Sequence, residues 1–283
     1  MKTILKKTLY LSLILCLNLQ CLLGQSYEEI KYLPDTIRWK NYTFKKVSDD
    51  GHVWYAILLK SQDTLALFNQ GFHRQMTQSA FLPIPHNEDS MFMVEQFSGG
   101  AHCCWTYTIF DMVGDSLRLF FKSSDYPVGY PVKIQDLNDD GIAEWIQSLL
   151  TFDYFLILSH AVSPLIPIIF RYDTNGFYPA NPEFKEILLQ DIHAPYQILQ
   201  NSSPLYKPIE GSSPDVDLFS QLMEVVITLF YSGEYAKARS VFYKYYTAPD
   251  ASLIFDQIVL KLQKCQVFQS IYTRYPPDNN AMQ

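Results

Sequence analysis

Short runs of β-branched and aromatic residues, separated by turn residues, fill the first two thirds of the chain. Turn sequences such as Ser61-Gln62-Asp63, Val113-Gly114-Asp115 and Asp173-Thr174-Asn175-Gly176 stand between successive runs, and short turns of this kind join antiparallel strands. The pattern therefore predicts an antiparallel β-meander rather than a parallel sheet with crossover helices. The predicted strands are Arg38–Val47, Val53–Leu59, Thr64–Phe68, Met91–Phe97, Trp105–Asp111, Leu117–Lys122, Val132–Gln135, Ala143–Leu149 and Ile166–Tyr172.

The pattern changes to a helical period after about residue 200. Apolar residues recur three and four positions apart in three stretches that begin near Leu218, Tyr235 and Ile254, which is typical of amphipathic helices. We therefore expect an α+β protein, with an antiparallel β-meander domain followed by a C-terminal helical hairpin or three-helix segment. The expected divisions are a β-rich domain over residues 25–200, a linker over 201–214, a helical segment over 215–275 and a disordered tail over 276–283.

A basic leader and an apolar run begin the chain. Three lysines precede the run Leu9–Leu23, which is too short and too interrupted to span a bilayer, where about 20 apolar residues are needed. This arrangement is typical of a secretory signal, so we predict a signal peptide over residues 1–24. The mature chain would then be periplasmic or extracellular, without a transmembrane segment. The competing interpretations are a lipoprotein signal at Cys21 and, third, a retained membrane anchor.

Composition narrows the class of protein further. The chain has 283 residues, of which 48% are hydrophobic, and its 22 basic and 29 acidic residues give a net charge of −7. This hydrophobic content excludes a disordered chain. The acidic balance, without a cluster of Lys and Arg, argues against a nucleic-acid partner, because phosphates require a basic face.

An acidic loop between two predicted strands is the strongest chemical signal in the sequence. The loop comprises residues 136–144. Side-chain oxygens stand at its positions one, three, five and nine, and the carbonyl of position seven would add a ligand. Calcium prefers about six to eight oxygen ligands, and the clustered carboxylates would repel one another without a cation. We therefore predict a structural calcium site, against the alternative of a solvated acidic turn. Its ligands would be Asp136, Asn138, Asp140, Ile142 and Glu144.

The acidic loop departs from an EF-hand, since position twelve is Gln147 rather than a bidentate Glu. It resembles instead the short calcium loop of the integrin-type FG-GAP or VCBS repeat, whose pattern is Asp-x-Asp-x-Asp-Gly-x-x-Asp between two strands. Asn138 and Glu144 differ from that pattern, and both keep an oxygen ligand.

A Gly-Gly-Ala-His-Cys-Cys run occupies residues 99–104. One interpretation is structural, with a tight turn and either buried thiols or a disulfide, for which Cys265 is one possible partner. The other is a thiol or transition-metal site formed by His102, Cys103 and Cys104. Adjacent residues rarely align as base and nucleophile, so the structural interpretation is preferred.

Together with the acidic loop and Phe230-Tyr231-Ser232-Gly233, this run resembles an uncharacterised family of exported bacterial proteins that are labelled VCBS-repeat-like. The resemblance covers about residues 90–270, and it implies export and a single calcium-type loop but no activity. We expect a partial or divergent propeller-like meander in an exported, non-catalytic interaction module with an unknown protein or glycan partner. The alternative function is a thiol- or metal-dependent enzyme or redox protein centred on residues 102–104.

Overall fold

The computed structural model describes residues 36–49, 52–60, 63–67, 75–82, 91–97, 105–173, 176–209 and 214–276. The predicted signal peptide over residues 1–24, with Cys21, lies outside the described residues. So do the Gly-Gly-Ala-His-Cys-Cys run and all of the predicted tail after Pro276.

Twelve strands in the described ranges form three antiparallel sheets, and each sheet is a meander of four consecutive strands. The first sheet contains β1 (Thr36–Trp39), β2 (Tyr42–Asp49), β3 (His52–Lys60) and β4 (Asp63–Leu67). The second contains β5 (Gln75–Leu82), β6 (Met91–Phe97), β7 (Trp105–Val113) and β8 (Ser116–Lys122). The third contains β9 (Lys133–Gln135), β10 (Glu144–Ser148), β11 (Pro167–Asp173) and β12 (Gly176–Pro179).

Six α-helices follow the sheets within the described part of the chain, so the predicted α+β class with a C-terminal helical region is confirmed. No closed barrel or propeller forms among the described residues. The helices are α1 (Lys185–Asp191), α2 (His193–Asn201), α3 (Val216–Tyr231), α4 (Tyr235–Tyr245), α5 (Ala251–Lys264) and α6 (Gln266–Arg274).

The secondary structure differs from the predicted elements at several places, and strands β5 and β12 are not among the predicted strands. The strand predicted from Arg38 is divided into β1 and β2, because Lys40 takes a left-handed φ of 53° in the turn between them. Helices α1 and α2 occupy residues that were expected to belong to the β-rich part. The third predicted helix ends at Lys264, and a separate helix, α6, begins at Gln266. The division into domains stays a prediction.

The second sheet lies between two hydrophobic clusters because its strands alternate their side chains. Phe92, Phe110 and neighbouring residues of one face pack against Trp39 and Phe44 of the first sheet. Trp39 and Phe92 have ring centroids 5.6 Å apart. Successive strand residues point to opposite faces, so the other face is free to join the main core.

Aromatic side chains connect the second sheet to the third. Phe121 contacts Trp145, Phe170 and Phe177, with ring centroids 5.0–5.6 Å apart, and Tyr107 meets Trp145 edge to face at 4.8 Å. Aromatic pairs in this geometry contribute beyond their buried area. This cluster continues into the helices as one core.

The centre of the helical region is α3, which is buried on nearly all sides. Asp215 caps its start, because Oδ1 accepts a hydrogen bond from the N–H of Leu218 at 2.9 Å. Gly233 ends it with a φ of 83°, a conformation that glycine adopts at low cost. Within the described residues, none of the helices has the length and apolar character needed to cross a membrane.

The aromatic junction between the sheets should dominate stability. Phe170→Ala is expected to lower the free energy of unfolding by about 3–5 kcal/mol, because it removes a fully buried ring and leaves a cavity. Leu119→Ala, at a 55% exposed position on β8, is the control and should change it by less than about 0.5 kcal/mol. Denaturant titration of both variants measures the difference, and equal losses would contradict this account of the core.

Candidate metal centre in the acidic loop

The acidic loop closes a β-hairpin between β9 and β10, where Gln135 pairs with Glu144. Asp139 and Gly141 have left-handed φ values of 58° and 82°. Asp and Gly tolerate this region better than most residues do. The loop therefore lies between two strands, as the sequence predicted.

Backbone amides of the loop point inward at its carboxylates. Asp136 Oδ2 accepts from the N–H of Gly141 at 2.8 Å, and its Oδ1 accepts from the N–H of Asp140 at 3.2 Å. Asp140 Oδ1 accepts from the N–H of Ile142 at 2.9 Å. These bonds fold the chain around the side chains of Asp136 and Asp140, so the two carboxylates share the interior of one tight turn.

Asn138 links these two carboxylates, since its backbone N–H donates to Asp136 Oδ1 at 3.4 Å while its side-chain amide bonds Asp140. Its Oδ1 accepts from the N–H of Asp140 at 3.3 Å, and its Nδ2 donates to Asp140 Oδ2 at 2.9 Å. The side chains at loop positions one, three and five therefore belong to one hydrogen-bonded set.

Glu144 lies behind the loop with 0% of its surface exposed. Its Oε2 accepts from the N–H of Leu137 at 2.8 Å, whereas its Oε1 is buried and accepts no hydrogen bond from the described residues. Burial raises the pKa of this carboxyl, and the N–H of Leu137 and the charge of Arg171 offset the rise only in part. One oxygen of Glu144 therefore needs a positive partner.

Arg171 on β11 supplies the positive charge nearest to the loop. Its Nη2 bonds Asp140 Oδ2, its Nε lies 3.5 Å from Glu144 Oε1, and its Nη1 donates to Glu183 at 2.9 Å. Partial burial acts to raise the pKa of Asp140. The hydrogen bonds from Asn138 and the N–H of Ile142, with the charge of Arg171, hold that pKa below its usual value.

Strand register explains why Arg171 lies beside Glu144 and the acidic loop. Trp145 pairs with Phe170 between β10 and β11, so the next step of the antiparallel register sets Glu144 opposite Arg171. Opposite charges at facing positions of a sheet stabilise the pair. The guanidinium also lies 5.9 Å from the centre of the Phe184 ring.

The carboxylates that contact the Arg171 guanidinium carry more negative charge than it can neutralise. Asp140, Glu144 and Glu183 contact Arg171 directly, and Asp136 stands within the same loop. Three carboxylates thus contact one guanidinium, and a fourth, that of Asp136, lies in the adjoining loop. Like charges at such spacing repel more strongly where water is partly excluded.

The predicted ligands are thus placed as follows. Asp136, Asn138 and Asp140 meet in the loop, Ile142 joins them through its N–H, and Glu144 lies behind them. Among the described residues, no group of three or more His, Cys, Asp and Glu side chains is arranged as a metal cage. Occupancy by calcium stays a prediction.

Of Cys103, Cys104 and Cys265, only Cys265 lies within the described residues. His102, Cys103 and Cys104 belong to the residues between β6 and β7 that are not described. Cys265 is a free, buried thiol, so the disulfide that the sequence allowed from this residue is not formed. Its Sγ accepts a hydrogen bond from the hydroxyl of Tyr231 at 3.2 Å and lies 3.3 Å from Thr151 Oγ1.

Two residues of the site escaped the sequence analysis, namely Arg171 and Glu183. Both are far from the loop along the chain, and neither has a spacing that relates it to Asp136. One weak feature of the sequence pointed to Arg171. Arg171 is a charged residue within the apolar strand Pro167–Asp173, and such a residue requires a partner of opposite charge.

Comparison with known proteins gives no name to this arrangement. No family model matches the chain, and neither the curated proteins nor the solved structures contain a match to it. The loop and its guanidinium must therefore be interpreted from their own chemistry.

The central role of Arg171 can be measured directly in metal-free buffer. Arg171→Met should lower the free energy of unfolding by about 2–3 kcal/mol, because it leaves partly buried carboxylates without their cation. Arg118→Met is the matched control, since that guanidinium is 44% exposed and, among the described acids, pairs with Asp111 alone, and we expect a loss below about 1 kcal/mol. Equal losses in denaturant titrations would contradict the central role.

Proposed function

We propose that the protein is an exported, non-catalytic binding module whose third sheet is braced by a calcium ion in the acidic loop. The ligands would be the side chains of Asp136, Asn138, Asp140 and Glu144 with the carbonyl of Ile142. A bound calcium ion would supply positive charge inside the hairpin and would hold β9 and β10 together.

The single observation that carries the calcium proposal is the inward folding of the loop around its oxygens. Amide hydrogen bonds to Asp136 and Asp140 fix both carboxylates in the interior of the turn before any metal binds. Carboxylate and amide oxygens are the hard ligands that calcium prefers. Preorganised ligands lose less conformational freedom on binding.

Unsatisfied charge gives further support. Glu144 Oε1 is buried without a hydrogen bond from the described residues, and a single guanidinium, that of Arg171, contacts three carboxylates. A divalent cation would neutralise the remainder. We propose that calcium and the guanidinium share this acidic site, with calcium taking the loop side.

The remaining parts of the proposal follow from the pattern of the chain. The basic leader and apolar run support export to the periplasm or beyond. Three successive four-stranded meanders support a partial, propeller-like arrangement of blades, in keeping with the proposed membership of the VCBS-like exported family. The partner would be a protein or a glycan outside the cytoplasm.

Calcium should stabilise the protein, and the increment should depend on the loop. At 100 times its dissociation constant, calcium is expected to raise the free energy of unfolding by about 2.7 kcal/mol. Asp136→Asn and Asp140→Asn should abolish most of this increment. Melting curves of each variant in calcium and in chelator measure it.

The matched control is Asp139→Asn, which removes the same charge one residue away from a proposed ligand. Asn tolerates the left-handed φ of this exposed position, so its calcium increment should equal that of the parent protein. A parent protein that melts identically in calcium and in chelator would leave the loop an acidic turn held by Arg171.

Removal of the competing guanidinium should strengthen calcium binding. A dication and a guanidinium separated by roughly 8 Å repel by ~1 kcal/mol even in the dielectric of water, which is roughly fivefold in the dissociation constant. Arg171→Met is therefore expected to bind calcium at least that much more tightly in calorimetric titrations, although it is less stable without metal. Weaker calcium binding by this variant would show that Arg171 supports the site rather than competes for it.

A further inference from the structure

A compact loop of sixteen residues, 150–165, joins β10 to β11. Its ends are held together by a hydrogen bond from the N–H of Leu149 to the carbonyl of Ile166 at 2.8 Å. Loops of this type pack on their own side chains and frequently carry function. We call it the Ω-loop.

An Asp–His pair crosses the Ω-loop and reaches a tyrosine outside it. Asp153 Oδ2 lies 2.6 Å from His160 Nδ1, and His160 Nε2 lies 3.3 Å from the hydroxyl oxygen of Tyr130. Burial and then the charge of Asp153 raise the pKa of Tyr130, so its hydroxyl keeps its proton at neutral pH. The imidazole is fixed at both nitrogens.

Two tyrosine rings stack on this imidazole. The Tyr130 ring lies parallel to it within 5° at 6.3 Å, and the Tyr154 ring lies at 5.6 Å with an angle of 28°. Tyr154 nevertheless remains 66% exposed. One side of its ring is therefore supported by His160, while much of the remainder is open to water.

The backbone holds Tyr154 in this exposed position against its local preference. Tyr154 has a left-handed φ of 53°, as do Leu156 at 55° and Tyr130 at 73°. The N–H of Tyr154 is fixed by a hydrogen bond to Ser163 Oγ at 3.1 Å. Bulky residues seldom adopt this region, and where they do they cluster at binding and active sites.

We propose that the exposed face of Tyr154 is a carbohydrate-binding platform that takes a neutral pyranose. The C–H groups on one face of the sugar would lie on the electron-rich ring, while its hydroxyls would meet the polar groups of Asp153 and Tyr130 at the edge. This inference deepens the proposed binding function by choosing a glycan as the partner. It does not depend on calcium in the acidic loop.

The chemistry around the ring favours a sugar over a protein surface. A flat, immobilised aromatic ring offers its negative face to polarised C–H groups, and it loses little freedom when a ligand stacks on it. The side chain of Asp153, the neighbour of Tyr154 in the chain, is 21% exposed, so the edge of the platform also offers a polar group to a sugar hydroxyl. An apolar partner helix would offer neither polarised C–H groups to the ring nor hydroxyls to its polar edge.

Binding to a panel of soluble oligosaccharides tests the platform. The probes are the hexasaccharides of the cellulose, chitin, laminarin and xylan series, titrated into the full mature protein by calorimetry or NMR in the millimolar range. We expect at least one series to bind, with Tyr154→Ala weakening it roughly tenfold and Tyr154→Phe retaining it. Failure of all four series, or binding that Tyr154→Ala leaves unchanged, would overturn the proposal.

Tyr206 provides a matched control because it is 68% exposed and lies outside the Ω-loop. Tyr206→Ala should leave sugar affinity unchanged. Acetylation of the parent protein with N-acetylimidazole needs no variant, and the bound oligosaccharide should protect Tyr154 several-fold while Tyr206 reacts as before. Equal protection of both tyrosines, or of neither, would contradict the platform.

The same titrations in calcium and in chelator separate the two proposals. Sugar binding that persists in chelator supports the platform even where the melting curves show no calcium effect. A calcium-stabilised protein that binds none of the probes would retain the metal proposal and overturn the platform.

Discussion

The guanidinium of Arg171 holds together three parts of the fold that the chain separates widely. It contacts Asp140 in the acidic loop, Glu144 on β10 and Glu183 in the 3-10 turn before α1. Glu183 in turn accepts from the hydroxyl of Tyr275 just after α6. One positive charge therefore connects the hairpin, the turn and the C-terminal helix. Its position follows from strand register, and Glu144, the fully buried carboxylate of the three, depends on this cation.

This dependence explains how the acidic loop can be both a structural and a binding element. An arginine supplied by the chain requires no ligand from solution, but it provides a single charge with a fixed fork of donors. A calcium ion provides two charges and accepts ligands from several directions. On the calcium proposal, a loop with more carboxylates than one guanidinium can balance would stay stable without metal and would keep an affinity for it. On that proposal, charge number, rather than loop shape alone, would separate this loop from an ordinary acidic turn.

The features that sequence predicted were those set by neighbours along the chain. The spacing of Asp136, Asn138 and Asp140 predicted a loop between two strands, because each oxygen serves an amide only a few residues away. Alternation and turn residues predicted most of the strands for the same reason. Arg171 could not be found in this way, since its place depends on the register of β11 after the long Ω-loop. The pairing of Asp153 with His160 likewise depends on how that loop closes, which no spacing rule gives.

Strand β10 relates the two proposed sites to each other. The acidic loop precedes it, the Ω-loop follows it, and its five residues span about 17 Å. Gln147 on this strand donates to the carbonyl of Tyr130 at 2.9 Å, so the strand also fixes the tyrosine that stacks on His160. Because β10 is hydrogen-bonded on both sides and packed through Trp145, a cation at one end cannot move the other end without opening the sheet. Calcium would therefore act on the platform by suppressing local unfolding rather than by changing its shape, and the two sites would remain chemically independent while sharing one strand.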